Sequence, residues 1–252
     1  MNNRWSWLAL GVGAYLAFTL ATFPASTAVR WLAPPDVKLS GIQGTVWSGA
    51  AAAVAVGNLT LQDLRWRLRG GSLLLGRLSG NLEARLPDGF VSTELTATPS
   101  RVRFTNLRGG ASLPSLASVL PLHGMRGQAS AQLDSLEIAN GWPSRVVGDL
   151  KIAGLEVEPL VPGGTSGLLP LGDYTITFAQ APEGSIAARF VDNGGPLEVS
   201  GDATLDAKRE YTLDALIKPR AGASDQLVQG LKFMTAEPDS DGRRRLTLTG
   251  SL

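Results

Sequence analysis

The stretch LKIAGLEVEPL, Leu150 to Leu160, places a large apolar residue at offsets 0, 2, 5, 7 and 10. The gaps run two, three, two, three. An α-helix wants gaps of three and four, and a plain strand wants twos throughout, so neither alone explains the stretch. The same i, i+2, i+5 spacing recurs in VKLSGI from Val37, VAVGNL from Val54, LTLQDL from Leu59, VRFTNL from Val102 and YTLDAL from Tyr211. With LKIAGL and LEVEPL that makes seven, where near-random sequence should give on the order of two or three. The wider gaps hold SG, GN, QD, TN, AG, EP and DA, which is mostly turn and bulge chemistry. A two-residue hairpin resets the alternation because the residues flanking the turn are cross-strand partners on one face. A β-bulge does the same inside a strand by adding one residue. The rhythm therefore predicts a one-faced antiparallel sheet, turned or bent at short intervals. Gly57-Asn58 is expected to be a tight turn with Val56 opposite Leu59, and LTLQDL a bulge after which Leu64, Trp66 and Leu68 resume the apolar face.

The remaining sequence agrees. Further strands are predicted for LLLGRLSGNLEARL ending at Leu86, FVSTELTA from Phe90, GQASAQLDSLEI ending at Ile138 and SRVVGDLKI. DYTITFA, GSIAARFV, LEVSGDATLDA, EYTLDALI and RRRLTLTG follow, with turns at Pro87-Asp88-Gly89, Asp192 to Gly195 and Asp239 to Gly242. Gly109-Gly110 also reads as a turn. Only Ser112 to Pro121 and Ala223 to Met234 look helical. The expected fold is mainly β: a strongly curved antiparallel sheet, an open half-barrel or folded over itself, with one or two short helices. Such a sheet must hide its apolar face by folding on itself.

Composition bounds the function. The 252 residues are 44% hydrophobic and 18% charged, with 23 basic against 22 acidic residues, a globular balance with no charge excess to recruit nucleic acid. The absence of cysteine removes disulfides and thiolate metal sites and is compatible with an oxidising compartment. Between Arg4 and Arg30 lie 25 uncharged residues centred on Trp7 to Phe23. A helix crossing a ~30 Å hydrocarbon core needs roughly 20 such residues, and Trp5, Trp7 and Trp31 stand where indoles favour an interface. A cleaved signal peptide is the alternative, with Ser26-Thr27-Ala28 as the cleavage site. The apolar run exceeds the ~7–15 residues of a signal core, so a retained anchor is expected. The division predicted is a cytoplasmic head over residues 1–6, a transmembrane anchor over 7–29, and an exported β domain over 30–252.

No catalytic, cofactor or metal constellation emerges. His123 is the sole histidine and reads as a loop residue, and Glu156 and Glu158, two apart, share a solvent face of a strand rather than forming a dyad. The candidate interaction residues are Trp47, Trp66, Arg243, Arg244 and Arg245. Trp47 and Trp66 are large amphipathic side chains that suit either an interface or the sheet face. The arginine run opens a solvated edge strand or docks a partner or lipid headgroup.

GTVWSGAA, Gly44 to Ala51, follows the apolar segment and precedes LRWRL. LLLG from Leu73, LGDYTITFA from Leu171, DNGGPLEVSGDATLD from Asp192 and the closing IKPR, LVQGLKFM and DGRRRLTLTG come in order behind it. In these residues the chain resembles protein N of the bacterial type II (general) secretion pathway over essentially its whole length. The resemblance implies a bitopic inner-membrane protein with a periplasmic β domain, an accessory part of the apparatus that moves folded proteins across the outer membrane. Its partners would be other inner- or outer-membrane components of that apparatus. The family brings no catalytic residues to carry over. A relation to large bacterial proteins whose curled sheets enclose a lipid-lined groove implies a second reading, a lipid-handling protein.

Overall fold

The computed structural model describes residues 3–32, 37–56, 59–117, 124–158, 167–235 and 237–251. In it the two-three rhythm marks single residues in left-handed backbone: Gly41 (φ 65°), Asp63 (φ 48°), Asn106 (φ 51°) and Gly154 (φ 58°), each in the wider gap of its repeat. Gly41 ends a strand. At the other three the pairing skips a residue, between Gln62 and Arg65, around Asn106, and around Gly154, so each is a bulge that returns the next apolar side chain to its face. Gly and Asn tolerate this conformation where a β-branched residue does not. Asn106→Val should therefore cost about 1–2 kcal/mol in urea denaturation of the detergent-solubilised chain, whereas Asn106→Gly should cost nothing measurable. Val56 pairs with Leu59 as the hairpin requires, while Gly57 and Asn58 lie outside the described residues. YTLDAL departs from the pattern. Asp214 and Ala215 continue an unbroken strand, with Ala215 buried and Leu216 turned to the opposite face.

The strands are β1 (Val37–Ser40), β2 (Gln43–Gly44), β3 (Ser48–Val56), β4 (Leu59–Arg69), β5 (Leu78–Leu86), β6 (Gly89–Thr98) and β7 (Arg101–Ser112). They continue as β8 (Met125–Ala139), β9 (Trp142–Val157), β10 (Leu169–Ala179), β11 (Ile186–Asp192), β12 (Leu197–Leu205), β13 (Glu210–Pro219) and β14 (Arg244–Ser251). All pair antiparallel in one sheet, in chain order except that β2 hangs off β3. β1 and β14 stand at opposite ends of that order, so the sheet is open. One face is apolar, with cross-strand rows such as Phe104, Leu136 and Val146, or Leu150, Ile176 and Phe190. The other face is polar, as in the row Arg103, Glu137, Arg145. The sheet also curls. Arg209, between β12 and β13, lies 4.7 Å over the ring of Trp142 at the start of β9. In a flat sheet β9 and β12 would be ~14 Å apart at the usual strand spacing.

Helices cover the apolar face at its two ends. At one end lies α2 (Ala25–Leu32), which follows α1 (Asn3–Ala21). At the other lies α4 (Asp225–Met234), capped by Ser224 and burying Leu227 and Leu231, the latter against Leu197, Val199, Ala215 and Ile217. A short α3 (Leu113–Leu116), capped by Ser112, stands where a longer helix was expected, and residues 118–123 with His123 lie outside the described residues.

Three further expectations change. LLLG is not strand: Gly70–Leu75 is a 3-10 turn closed by Gly76 in left-handed backbone, and β5 begins only at Leu78. Gly109-Gly110 lies inside β7, where a Cβ at Gly109 would come 2.9 Å from the Phe90 carbonyl, so these glycines permit close strand approach rather than a turn. The apolar N-terminal run is also not one helix. It breaks at Thr22–Pro24, because Pro24 has no N–H to donate into a continuing helix. No helix among the described residues is long and apolar enough to cross a membrane. Yet Trp7, Leu10, Val12, Tyr15, Phe18 and Leu20 of α1 are all exposed. At about 100° per residue they point to every side of the helix.

Candidate functional site

The six residues Gly44 to Gly49 form a clamp. Gly44 (φ 86°) turns the chain where a Cβ would meet the Ser48 carbonyl at 2.5 Å. The Thr45 N–H donates to that carbonyl at 2.9 Å, and the Ser48 N–H returns a bond to Thr45 Oγ1 at 3.2 Å. This tight turn presents Thr45 to Pro24 in an antiparallel bridge, and the Val46 N–H to the Phe23 carbonyl at 3.0 Å. Trp47 extends the contact: its indole N–H donates to the carbonyl of Leu20, in the last turn of α1, at 2.7 Å. Its own carbonyl accepts from the Leu68 N–H of β4. Trp66, on β4, donates its indole N–H to the Val46 carbonyl at 3.0 Å and lies over Gly49, its cross-strand partner. A Cβ at Gly49 would come 2.6 Å from the Gln43 carbonyl oxygen and closer still to the Trp66 ring, which is why the position is glycine. Trp66 thus spans from the apolar face to a backbone acceptor, and Trp47 from Gly70 to the end of α1. Both candidate tryptophans are half-buried, and together they fasten the α1–α2 junction to the sheet.

Beneath this clamp, α2 and the apolar face form an open groove of about 280 Å³ lined by Ala28, Val29, Leu64, Trp66, Leu82 and Leu95 among others, with almost no polar surface. Leu64, Trp66 and Leu68 share the groove wall, as the bulge at Asp63 predicts.

The arginine run lies at the far end of the sheet, well apart from the tryptophans in strand order. Arg243 pairs with Glu198 at 3.4 Å, and Arg245 pairs with Asp214 on β13. Arg244 opens β14 opposite Ile217. The run therefore does stand at an edge strand, but two of its charges are already neutralised by the sheet they belong to. β14 is eight residues long, without proline or bulge, and among the described residues nothing pairs with its outer edge.

Two charged groups escaped the sequence reading. Asp192, expected only as part of a turn, ends β11 on the apolar face with its side chain 6% exposed. It pairs with Arg220 at 2.6 Å and accepts the N–H groups of Val199 at 2.7 Å and Gly194 at 3.1 Å. Burial pushes its carboxyl up, but the Val199 N–H, the Arg220 guanidinium and the Gly194 N–H outweigh this and hold it below its ordinary value. Burial, and then the Asp192 charge, pushes the neighbouring Tyr174 phenol up. Glu137, buried on the polar face, pairs with Arg101 and Arg103. Their only sequence signal is an acid within an otherwise regular strand, which an exposed acid gives equally. Among the described residues no group of three or more His, Asp or Glu is placed to hold a metal ion.

Comparison with known proteins fits this arrangement to a lineage. Residues 35–247 match the family described as "Type II secretion system (T2SS), protein N". A type II secretion system protein N of Aeromonas hydrophila is 28% identical over 253 residues, covering 97% of each chain. Its counterpart in Vibrio cholerae serotype O1 is 24% identical over 257 residues, covering 97% of this chain and 99% of its own. No solved structure matches.

Proposed function

The chain belongs to the type II secretion system protein N family, and on that premise we propose that it is a non-catalytic subunit of the secretion apparatus that works by docking in the periplasm. Held at the inner membrane by α1, whose N-terminal end faces the cytoplasm, it supports export of folded proteins across the outer membrane by contacting other inner- or outer-membrane components. The anchor rests on the apolar residues exposed around all of α1. Because Ala25 and Ala28 are buried and Val29 lines the groove against the sheet, we place the membrane boundary at Thr22–Pro24 and count α2 with the periplasmic part.

The observation that carries the docking reading is the free edge of β14. An unpaired strand offers a row of N–H and C=O groups to which another strand can add. The ion pairs of Arg243 and Arg245 remove much of the repulsion that an arginine-rich edge would otherwise present. Leu248→Lys tests it. Leu248 is 47% exposed, so the melting temperature should hold, while a charge on the apolar face of the edge should block strand addition. Secretion of a reporter substrate should fall, and cross-linking to co-anchored components should be lost. Normal secretion with normal stability would sink the edge as the docking surface. Trp47→Ala needs the same two readouts, since its bond to Leu20 makes a loss of about 1–2 kcal/mol expected. Lost secretion with intact stability would instead make Trp47 a docking residue.

The apolar groove under α2 favours a second reading, a lipid-handling protein that houses an acyl chain there. Mass spectrometry of organic extracts from the purified chain decides it: phospholipid retained in stoichiometric amount supports that reading, and its loss leaves docking alone.

A further inference from the structure

We propose that the tip between β4 and β5, Arg69 to Arg77, is a second membrane contact, which dips into the anionic surface of the same bilayer that holds α1. The proposal rests on the reading of α1 as the anchor. In sequence the tip is R-GGSLLLG-R, three leucines between two arginines with no acidic residue among them. In the structure it is a built turn. Ser72 Oγ donates to the Arg69 carbonyl at 2.6 Å and accepts the Ser79 N–H at 3.1 Å, and the Gly76 and Arg77 N–H groups close back on Leu73 and Ser72. That framework leaves Leu73 46% exposed at the end of the sheet. Arg69 and Arg77 are exposed too, and among the described residues neither has an ion-pair partner.

What covers the tip follows from where α1 ends. Gly70, the first residue of the turn, lies against the Trp47 ring, where a Cβ would sit 3.3 Å away. Trp47 in turn donates to Leu20 in the last turn of α1. One indole therefore separates the tip from the end of the anchor. Trp31 of α2 is 78% exposed beside the same junction, with its ring centroid 6.3 Å from that of Phe23. Exposed leucine and tryptophan flanked by unpaired arginines, next to the point where an apolar helix stops, match the layering of a membrane surface: apolar residues in the acyl boundary, indoles at headgroup level, and cations on phosphate. Two attachment points fix the tilt of the sheet over the membrane, which a single helix cannot do.

The absence of cysteine allows a direct test. Full-length single-cysteine variants Val12→Cys, Leu73→Cys and Phe90→Cys are labelled with an environment-sensitive fluorophore. They are reconstituted in nanodiscs of phosphatidylethanolamine and phosphatidylglycerol carrying a lipid-attached quencher. Phe90 is an exposed control at the opposite end of β5. Quenching at 12 and 73 but not at 90 is the expected result. Quenching at 12 with a water-like signal at 73 overturns the tip contact and leaves the anchor standing; a water-like signal at both overturns the anchor reading itself. Replacing phosphatidylglycerol by phosphatidylcholine, or introducing Arg69→Gln with Arg77→Gln, should reduce quenching at 73 by roughly half and leave 12 unchanged. Undiminished quenching at 73 would overturn the role given to the two arginines.

Discussion

Replacing Trp66 by alanine should cost the protein about 3 kcal/mol, at the low end of the range for large aromatic deletions because the side chain is half-buried. Three losses coincide at one residue. The indole lines the open apolar groove under α2, so its removal strips packing from α2 and widens that groove. Its N–H is the donor to the Val46 carbonyl, which sits between the two residues that grip the helix junction. Its ring is the cover over Gly49. Trp66→Phe keeps most of the volume and loses the hydrogen bond, so it should recover more than half of the stability. Gly49→Ala attacks the same contact from below and should cost about 1–3 kcal/mol, since neither the ring nor the Gln43 carbonyl has room for a methyl group. The double variant, Gly49→Ala with Trp66→Ala, should then lose less than the two single effects combined, because removing the indole takes away one of the two groups that the added methyl would clash with. Denaturation midpoints of the four proteins decide this, and strict additivity would show that the two residues do not act on each other.

At the far end of the sheet, Asp192→Asn should cost about 2–3 kcal/mol at neutral pH, the range for hydrogen bonds to a buried charge. The carboxylate serves Val199, Gly194 and Arg220 at once, and an amide offers one acceptor oxygen in place of two. Arg220 would keep its bonds to the carbonyls of Gly195 and Leu197 but lose its counter-charge. The pH dependence is a separate signature. The folded-state pKa of Asp192 lies below the unfolded value near 3.9, so the group contributes stability that is fully present above about pH 4. That contribution is lost as pH falls through the lowered folded value. The gap in melting temperature between wild type and Asp192→Asn should accordingly be constant from pH 5 to 8 and close below about pH 4. A gap that persists unchanged at pH 3 would mean that shape rather than charge is what Asp192 provides.

The architecture was legible in the sequence for a local reason. Alternation and its interruption depend on backbone geometry within five or six residues, so Asp63 could be read as a bulge, and Asn106 and Gly154 as turn-or-bulge positions, without knowing what the strands pair with. The same holds for α4, whose leucine spacing and serine cap are short-range features. Where the expectation failed, a longer-range contact had decided. LLLG has strand composition, but Gly70 and Gly76 let it close as a 3-10 turn beside Trp47. Gly109-Gly110 has turn composition, but the closeness of β6 is what calls for glycine there.

The sequence by itself determined a one-faced, repeatedly bent antiparallel sheet behind an apolar N-terminal segment, because hydrophobic period and turn chemistry are properties of the local chain. Only the tertiary structure decided that the sheet stays open at β14, that Trp47 and Trp66 face inward onto the helix junction, and that Asp192 rather than an apolar residue locks the far end. Those outcomes depend on which distant groups meet. An indole N–H, a carboxylate or an arginine carries the same partners in prospect wherever it stands, and only the fold selects among them.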